Sequence, residues 1–269
     1  MEKIKGNTLV ANGTPIPVSS YRRDPSAVVH YEVIRLIDGT FLFARDHIDR
    51  LLSSCRKAGR PCSDQETLMQ NLEILVQHEP IGNGNVKLLI YEQEGKLVSA
   101  CFFIPHFYPS EEAYRNGVKT AVYAYERPEP TVKRWNESFR EDVSRFIHKN
   151  AIYEAILMNR RGLLTEGSRS NLYFLDAKDR LYTAPSQMIL PGITRKYVLD
   201  ICRVQGVQVI EQALSTEEAI RMKSCFISGT SPKILPVKSL DEMKFTVENS
   251  ITRSLMESFN AMIQNRNRA

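Results

Sequence analysis

The segment LLTEGSRSNLYFLD, from Leu163 to Asp176, sets a carboxylate and several small polar groups between two apolar runs. Glu166 is followed by Gly167, the tripeptide Ser168-Arg169-Ser170 and Asn171. A carboxylate at the junction of two buried strands costs free energy unless a cation or a donor meets it. Gly167 permits a backbone conformation closed to other residues. Glu166 is therefore either a group held for chemistry, or a solvated strand-end acid or structural ion-pair partner. A second segment, MILPGITRKYVLD from Met188 to Asp200, breaks at Pro191-Gly192 and opens a helix at Thr194. The N–H groups and positive dipole end of such a terminus suit an anion such as phosphate; a plain threonine cap is the alternative. A further segment, ISGTSP from Ile227 to Pro232, is a glycine turn after an apolar strand. Its N–H groups form either an anion nest or an ordinary surface turn.

The elements that must position these groups are legible from periodicity and turn residues. YEVIRLIDGTFLFARD reads as a hairpin turning at Asp38-Gly39. HIDRLLSSCRKAG has helical spacing in Ile48, Leu51, Leu52 and Cys55 and stops at Gly59. Ser63 and Glu66 have the spacing of a capping box before a second helix, TLMQNLEILVQH. NVKLLIYEQEGKLVSACFFI is another hairpin, turning near Glu94-Gly95. Pro105 to Gly117 reads as a linker, dividing a smaller domain, 1–110, from a larger one, 111–269. In the second half, a strand VKTAVYAYE precedes a helix NESFREDVSRFIHKN, then hairpins with polar turns on both sides of the Glu166 segment. TRKYVLDICRVQG is an amphipathic helix, Ser215 and Glu218 cap a short one, and Val247, Ile251, Leu255 and Phe259 share a face of the last. Hairpins mixed with helices argue for an α+β chain rather than a doubly wound parallel sheet.

The 269 residues, 42% hydrophobic and 25% charged, have the composition of a globular enzyme or binding protein. A net charge of +5 with scattered Lys and Arg lacks the basic stripe of a nucleic-acid binder. The five cysteines form no CxxC pair and no ligand-like cluster with the five histidines, so neither a metal nor a disulfide framework is expected. Reduced thiols and the absence of an apolar leader or membrane-length run point to a cytoplasmic protein with no membrane partner.

Taken together and in order, YEVIR, DG, HIDRL, TEG-x-x-SN and LPGITR resemble the class IV pyridoxal-phosphate aminotransferases, which include D-amino-acid and branched-chain aminotransferases and aminodeoxychorismate lyase. The resemblance spans about Tyr31 to Val237. It implies a two-domain α+β fold of fold type IV, pyridoxal 5′-phosphate in the cleft between the domains, and a homodimer. Lys133 then forms the Schiff base, with Asn136 the asparagine that often follows it. Glu166 then faces the pyridine nitrogen and keeps it protonated, because a neighbouring opposite charge favours the ionised form. Arg50 is implied as the phosphate-binding arginine, the alternative being an exposed helix arginine paired with Asp46 or Glu66; Ile193 and Thr194 are implied to offer N–H groups, and Gly229, Thr230 and Ser231 to complete the phosphate cup. Ser168, Ser170 and Asn171 are implied to line or support the pocket.

Tyr31 matches an aromatic of the substrate pocket, or is an alternating strand tyrosine. Lys87 stands where many relatives carry arginine; it either meets a substrate carboxylate or is an exposed strand lysine. The implied reaction moves an amino group from an amino acid, branched-chain or other, to a 2-oxo acid. The alternatives are a lyase releasing p-aminobenzoate and pyruvate from aminodeoxychorismate, and a non-catalytic relative that only binds the cofactor. The chain departs from the D-specific members of the family: EGKLVSACFFIPHFYP holds no arginine, only His106. Trp135, two positions after Lys133, is also unusual there.

Overall fold

The computed structural model of the chain describes residues 3–266. Its contacts separate two compact units, Met1–Phe107 with Val132–Trp135, and Tyr108–Thr131 with Asn136–Ala269. The sequence boundary assigned everything from 111 onward to the second domain. Instead Val132–Trp135, carrying Lys133, is part of the first unit. The segment is stitched to a strand that precedes it by about a hundred residues: Trp135 N–H donates to Val29 O and Tyr31 N–H to Lys133 O. Such a long-range pairing leaves no local mark on composition.

The first unit comprises β1 (Lys5–Ala11), β2 (Thr14–Pro17), β3 (His30–Ile37), β4 (Thr40–Phe41), α1 (Ala44–Lys57), α2 (Gln65–His78), β5 (Gly84–Gln93) and β6 (Lys96–Ile104). The strands form one antiparallel sheet in the order β2-β1-β6-β5-β3-β4. Alternation along each strand divides its side chains between two faces. Ile34, Leu36, Val86, Leu88 and Phe103 pack with Ile48, Leu51 and Cys55 of α1 and Leu68, Leu72 and Leu75 of α2. Tyr31, Leu89, Tyr91 and Phe102 form a separate cluster that takes in Trp135. Hence Glu32, in step with Ile34 and Leu36, turns toward α1, while Tyr31 turns the other way.

Two expectations for this unit need correction. Beyond Asp38-Gly39 the returning strand is only Thr40–Phe41, and the chain passes into α1 at Ala44. The cap of α2 is Asp64, whose carboxylate accepts from Thr67 N–H, not Ser63.

The second unit contains α3 (Glu111–Asn116), β7 (Val118–Ala124), α4 (Glu137–Lys149), β8 (Glu154–Met158), β9 (Leu163–Gly167), β10 (Asn171–Leu175), β11 (Leu181–Thr183), α5 (Ile193–Val204), β12 (Val209–Glu211), β13 (Leu214–Ser215), α6 (Thr216–Ala219), β14 (Ser224–Gly229), β15 (Lys233–Leu240), β16 (Met243–Lys244) and α7 (Ser250–Arg266). The expected linker thus holds a helix, α3, capped by Ser110 and ended by Gly117. The last helix starts at Ser250 rather than at Val247, and buries Leu255, Phe259 and Ile263. The capping box of Ser215 and Glu218 forms as read.

The sheet runs β12-β11-β10-β14-β15-β7-β8-β9-β13, and an extra pairing of β9 with β10 closes the run from β10 round to β9 into a ring. It is mixed: β7 lies parallel to both β8 and β15. The register that closes the ring is Asn171 opposite Glu166, so the motif singled out in the sequence stands at the closure.

Candidate functional site

The candidate residues fall into two sets, one in each unit. In the first unit, a polar row on α1 interrupts its apolar face: His47, Arg50 and Ser54 stand at helical spacings of three and four. Glu32 meets this row. Its carboxylate is fully buried and accepts from Arg50 Nε at 2.7 Å, Arg50 Nη2 at 2.6 Å and His47 Nδ1 at 2.8 Å. Burial pushes the Glu32 carboxyl up, but the charges of Arg50 and Lys133, with the hydrogen bonds from His47 and Arg50, outweigh it and hold the acid far below its ordinary range. Burial holds His47 below its ordinary value against the pull of Glu32, which leaves it neutral with Nδ1–H donating.

Lys133 is anchored through its backbone, its N–H donating to Ser54 Oγ at 3.1 Å. Its Nζ lies 5.2 Å from the centre of the Tyr31 ring. Tyr31 is buried and meets Trp135 edge-on at 5.3 Å. Lys87 is not an exposed strand lysine: it is 3% accessible, with Nζ 3.6 Å from the centre of a Trp135 ring. The first unit therefore gathers Lys133, Arg50, Tyr31 and Lys87, together with residues that sequence reasoning missed, Glu32 and His47. The signals were an acid inside the apolar run of β3 and a histidine one helical turn before Arg50.

In the second unit, Glu166 is buried and ion-paired, Oε1 accepting from Arg127 Nε at 2.9 Å and Oε2 from Leu190 N–H at 3.1 Å. Asn171 Nδ2 donates to Leu190 O at 2.9 Å. The TEG-x-x-SN and LPGITR motifs are thus one structure: Glu166 and Asn171 latch both sides of Leu190. Gly192 completes the latch, since a Cβ there would stand 2.0 Å from Asn171 Oδ1.

The loop sets the start of α5 at Ile193. Gly192 is the cap residue, and no side chain caps the helix, so Thr194 lies inside the first turn rather than serving as the cap. Ile193 and Thr194 are both buried. A helix terminus without a side-chain cap retains N–H groups for an anion. Gly229 packs against Arg169 O and Pro232, and Thr230 and Ser231 are half-buried beside it.

The serine hydroxyls both turn to a second buried acid, Glu154. Ser168 Oγ donates to Glu154 Oε1 at 2.6 Å and Ser170 Oγ to Glu154 Oε2 at 3.0 Å, while Arg169 N–H and Ala155 N–H reach the same carboxylate. Their hydroxyls shape the turn around Glu154. Gly167 is required there for space and not for its conformation, because it has no positive φ and a Cβ would fall 2.1 Å from Ser170 Oγ. Asn136 caps α4 by accepting from Phe139 N–H. Arg127 and Glu154 were also missed. Arg127 is followed by Pro128 in an irregular stretch, and Glu154 looks from the sequence like an ordinary strand-end acid.

Burial pushes the thiols of Cys55 and Cys202 up to about 12. Among the described residues, no group of His, Cys, Asp and Glu could hold a metal ion, and no helix is long and apolar enough to cross a membrane.

Comparison with known proteins places this geometry. The family described as amino-transferase class IV matches residues 29–240. The D-alanine aminotransferase of Bacillus licheniformis is 28% identical over 87% of this chain and 86% of its own length. The branched-chain-amino-acid aminotransferase of Escherichia coli K12 is 27% identical over 78% and 75% of the two chains. The crystal structure of an Escherichia coli branched-chain aminotransferase superimposes with a TM-score of 0.85 over 96% of this chain and 95% of that one, at 21% identity. The fold is that of the fold-type IV enzymes, mixed α and β as read from the sequence.

Proposed function

The chain belongs to the class IV aminotransferases, pyridoxal-phosphate enzymes, and from that premise we propose that it transfers an amino group from an amino acid to a 2-oxo acid. The chemistry of the donor set fits the cofactor. An amine (Lys133), an ionised acid (Glu166), an arginine fork (Arg50) and a helix terminus without a side-chain cap (Ile193, Thr194) match an aldehyde, a ring nitrogen and a phosphate. When bound, pyridoxal phosphate supplies that aldehyde and a ring able to take up the electron pair left when an amino acid loses its α-proton.

In this reading Lys133 would hold the cofactor through its aldehyde, and its amine, once free, would carry the proton from the Cα of the amino acid. Glu166 keeps the ring nitrogen protonated, with Arg127 and Leu190 N–H fixing its orientation. Arg50, Ile193 and Thr194 hold the phosphate, with Gly229, Thr230 and Ser231 beside them. Ser170 and Asn171 support this set through the turn and the Leu190 latch. Tyr31 and Lys87 face the substrate, Lys87 meeting its carboxylate. The enzyme is read as a cytoplasmic homodimer acting on an amino donor that is branched-chain-like or other; the resemblance supports the dimer and the free thiols the compartment.

The observation that carries this proposal is the grouping of Lys133 with Glu32, Arg50 and Tyr31 in one unit. A lyase that releases p-aminobenzoate and pyruvate would need the same amine and acid, and the structure named as a putative 4-amino-4-deoxychorismate lyase from Legionella pneumophila shares the fold, with a TM-score of 0.77 at 22% identity; the test must therefore separate two reactions. Borohydride treatment of the holoenzyme should fix the cofactor to Lys133 alone, and Lys133→Ala should abolish turnover; labelling elsewhere refutes the assignment. Amino acids of both hands, assayed with 2-oxoglutarate and pyruvate, should yield the donor's oxo acid. Release of p-aminobenzoate and pyruvate from aminodeoxychorismate, without transamination, would make the enzyme a lyase.

A further inference from the structure

We propose that Glu32 is a positioning residue for the phosphate-binding arginine, fixing the guanidinium of Arg50 in one orientation. The inference rests on the function proposed above. Glu32 takes Arg50 by Nε and Nη2 at once, at 2.7 and 2.6 Å, a two-point grip that sets the plane of the guanidinium. His47 Nδ1 holds the same carboxylate from its own position on α1 at 2.8 Å, so the acid cannot turn without breaking a third bond. Both Glu32 and His47 are buried, and water is a poor substitute partner for either.

The sign of the charge is what makes this arrangement informative. A carboxylate beside Arg50 weakens the attraction of that arginine for any anion. If charge alone held the phosphate, Glu32 would work against the site. Its presence is accounted for if the gain is orientation: a long side chain already confined to one geometry loses less freedom when the anion arrives, and the fork carries further donors beyond the Nε and Nη2 edge. Lys133 is close enough to lower the acid's proton affinity, so the same group also balances the charge of the lysine without being a reacting group.

The two roles predict opposite outcomes. The probe is pyridoxamine 5′-phosphate, an amine that cannot condense with Lys133, titrated into the cofactor-free full-length chain and followed by fluorescence. Glu32→Gln removes the charge but preserves the shape. Positioning requires it to bind the probe weaker by about tenfold or more, whereas relief of repulsion makes it bind tighter. Glu32→Asp retains the charge but is too short for the double grip, and should also weaken binding. In an Arg50→Gln background, Glu32→Gln should add little further loss, because both act through one guanidinium.

Equal or tighter binding by Glu32→Gln overturns the inference, as does a Glu32→Gln effect undiminished in the Arg50→Gln background. If Glu32→Gln does not fold, Glu32→Asp decides, and wild-type affinity there overturns it. A wild-type chain that fails to bind the probe sinks the functional reading itself, and an unchanged variant beside a binding wild type sinks this inference alone.

Discussion

Glu32 and Glu154 are both buried carboxylates, at 0% and 2% exposure, one in each unit, and their partners differ in kind. Glu32 is met by an arginine, a histidine and the field of a lysine. Glu154 is met by two serine hydroxyls and two backbone N–H groups. An ionic cluster is an expensive way to bury an acid, because every charge in it must be stripped of water. Neutral donors satisfy the same lone pairs without that cost. The charged solution persists around the residues assigned to chemistry, Arg50 and Lys133. The neutral solution is found where a carboxylate only has to shape a turn.

The largest effect that would test this contrast is removal of each acid. Glu32→Ala leaves Arg50 and Lys133 without their buried counter-charge, and should cost about 3–5 kcal/mol in urea denaturation. Glu154→Ala strands only neutral donors, of which the serine hydroxyls can turn to other acceptors. It should cost about 1–3 kcal/mol. Equal losses would remove the distinction between the two solutions.

Acid reaches part of the same loss without mutation. The folded-state carboxyl of Glu32 lies below its ordinary value near 4.5. The unfolded chain therefore takes up that proton first, and stability present above this value is lost as the pH falls below it. Neutral His47 works in the same direction from a higher starting point. Its folded value lies below the ordinary 6.5, so stability should begin to decline once the pH drops under that figure. The denaturation midpoint of the double variant Glu32→Gln, His47→Gln should fall less steeply with acid than that of the wild type, and an identical slope would show that this cluster does not set the acid response.

Much of the scaffold around both acids could be read from local pattern. Hairpins betray themselves by alternation and by turns such as Glu94-Gly95, and helices by Ile48, Leu51, Leu52 and Cys55 at one face. What escaped was non-local or a matter of a single atom. The return of Val132–Trp135 to the first unit depends on backbone bonds to Val29 and Tyr31. The parallel pairing of β7 with β8 and β15 leaves each strand's own sequence unmarked. Asp64 beats Ser63 to the cap because its carboxylate reaches Thr67 through both the N–H and the hydroxyl. Glu32 could be seen as odd in an apolar strand, but its partners lie 15 and 18 residues away on another element. Recognisable motifs named Glu166 and Arg50, and the resemblance those motifs carry named Lys133; the residues that hold them had no motif of their own.

The Leu190 latch gives an intermediate test on the second unit. In Gly192→Ala the new methyl would stand 2.0 Å from Asn171 Oδ1. Asn171 must move, and its bond to Leu190 O goes with it. The expected cost is about 1–3 kcal/mol of stability, accompanied by weaker cofactor binding because α5 begins at the next residue. Lost stability with cofactor affinity intact would mean that the start of α5 does not contact the cofactor.

The smallest expected effect separates architecture from contact at the turn itself. Ser168→Ala and Ser170→Ala each delete one donor to Glu154, yet Oε1 keeps Ala155 N–H and Oε2 keeps Arg169 N–H. With a backbone donor left on each oxygen, either substitution should cost about 1–2 kcal/mol. Ser168→Ala should be the worse of the two, since its bond is the shorter, 2.6 Å against 3.0 Å. Any change in cofactor affinity should follow that lost stability, because both hydroxyls act on Glu154. Thermal melts paired with cofactor titration read the two quantities separately. A Ser170→Ala protein that melts like the wild type but releases its cofactor would place that hydroxyl on the cofactor, and the neutral cluster would then belong to the chemistry as much as the charged one does.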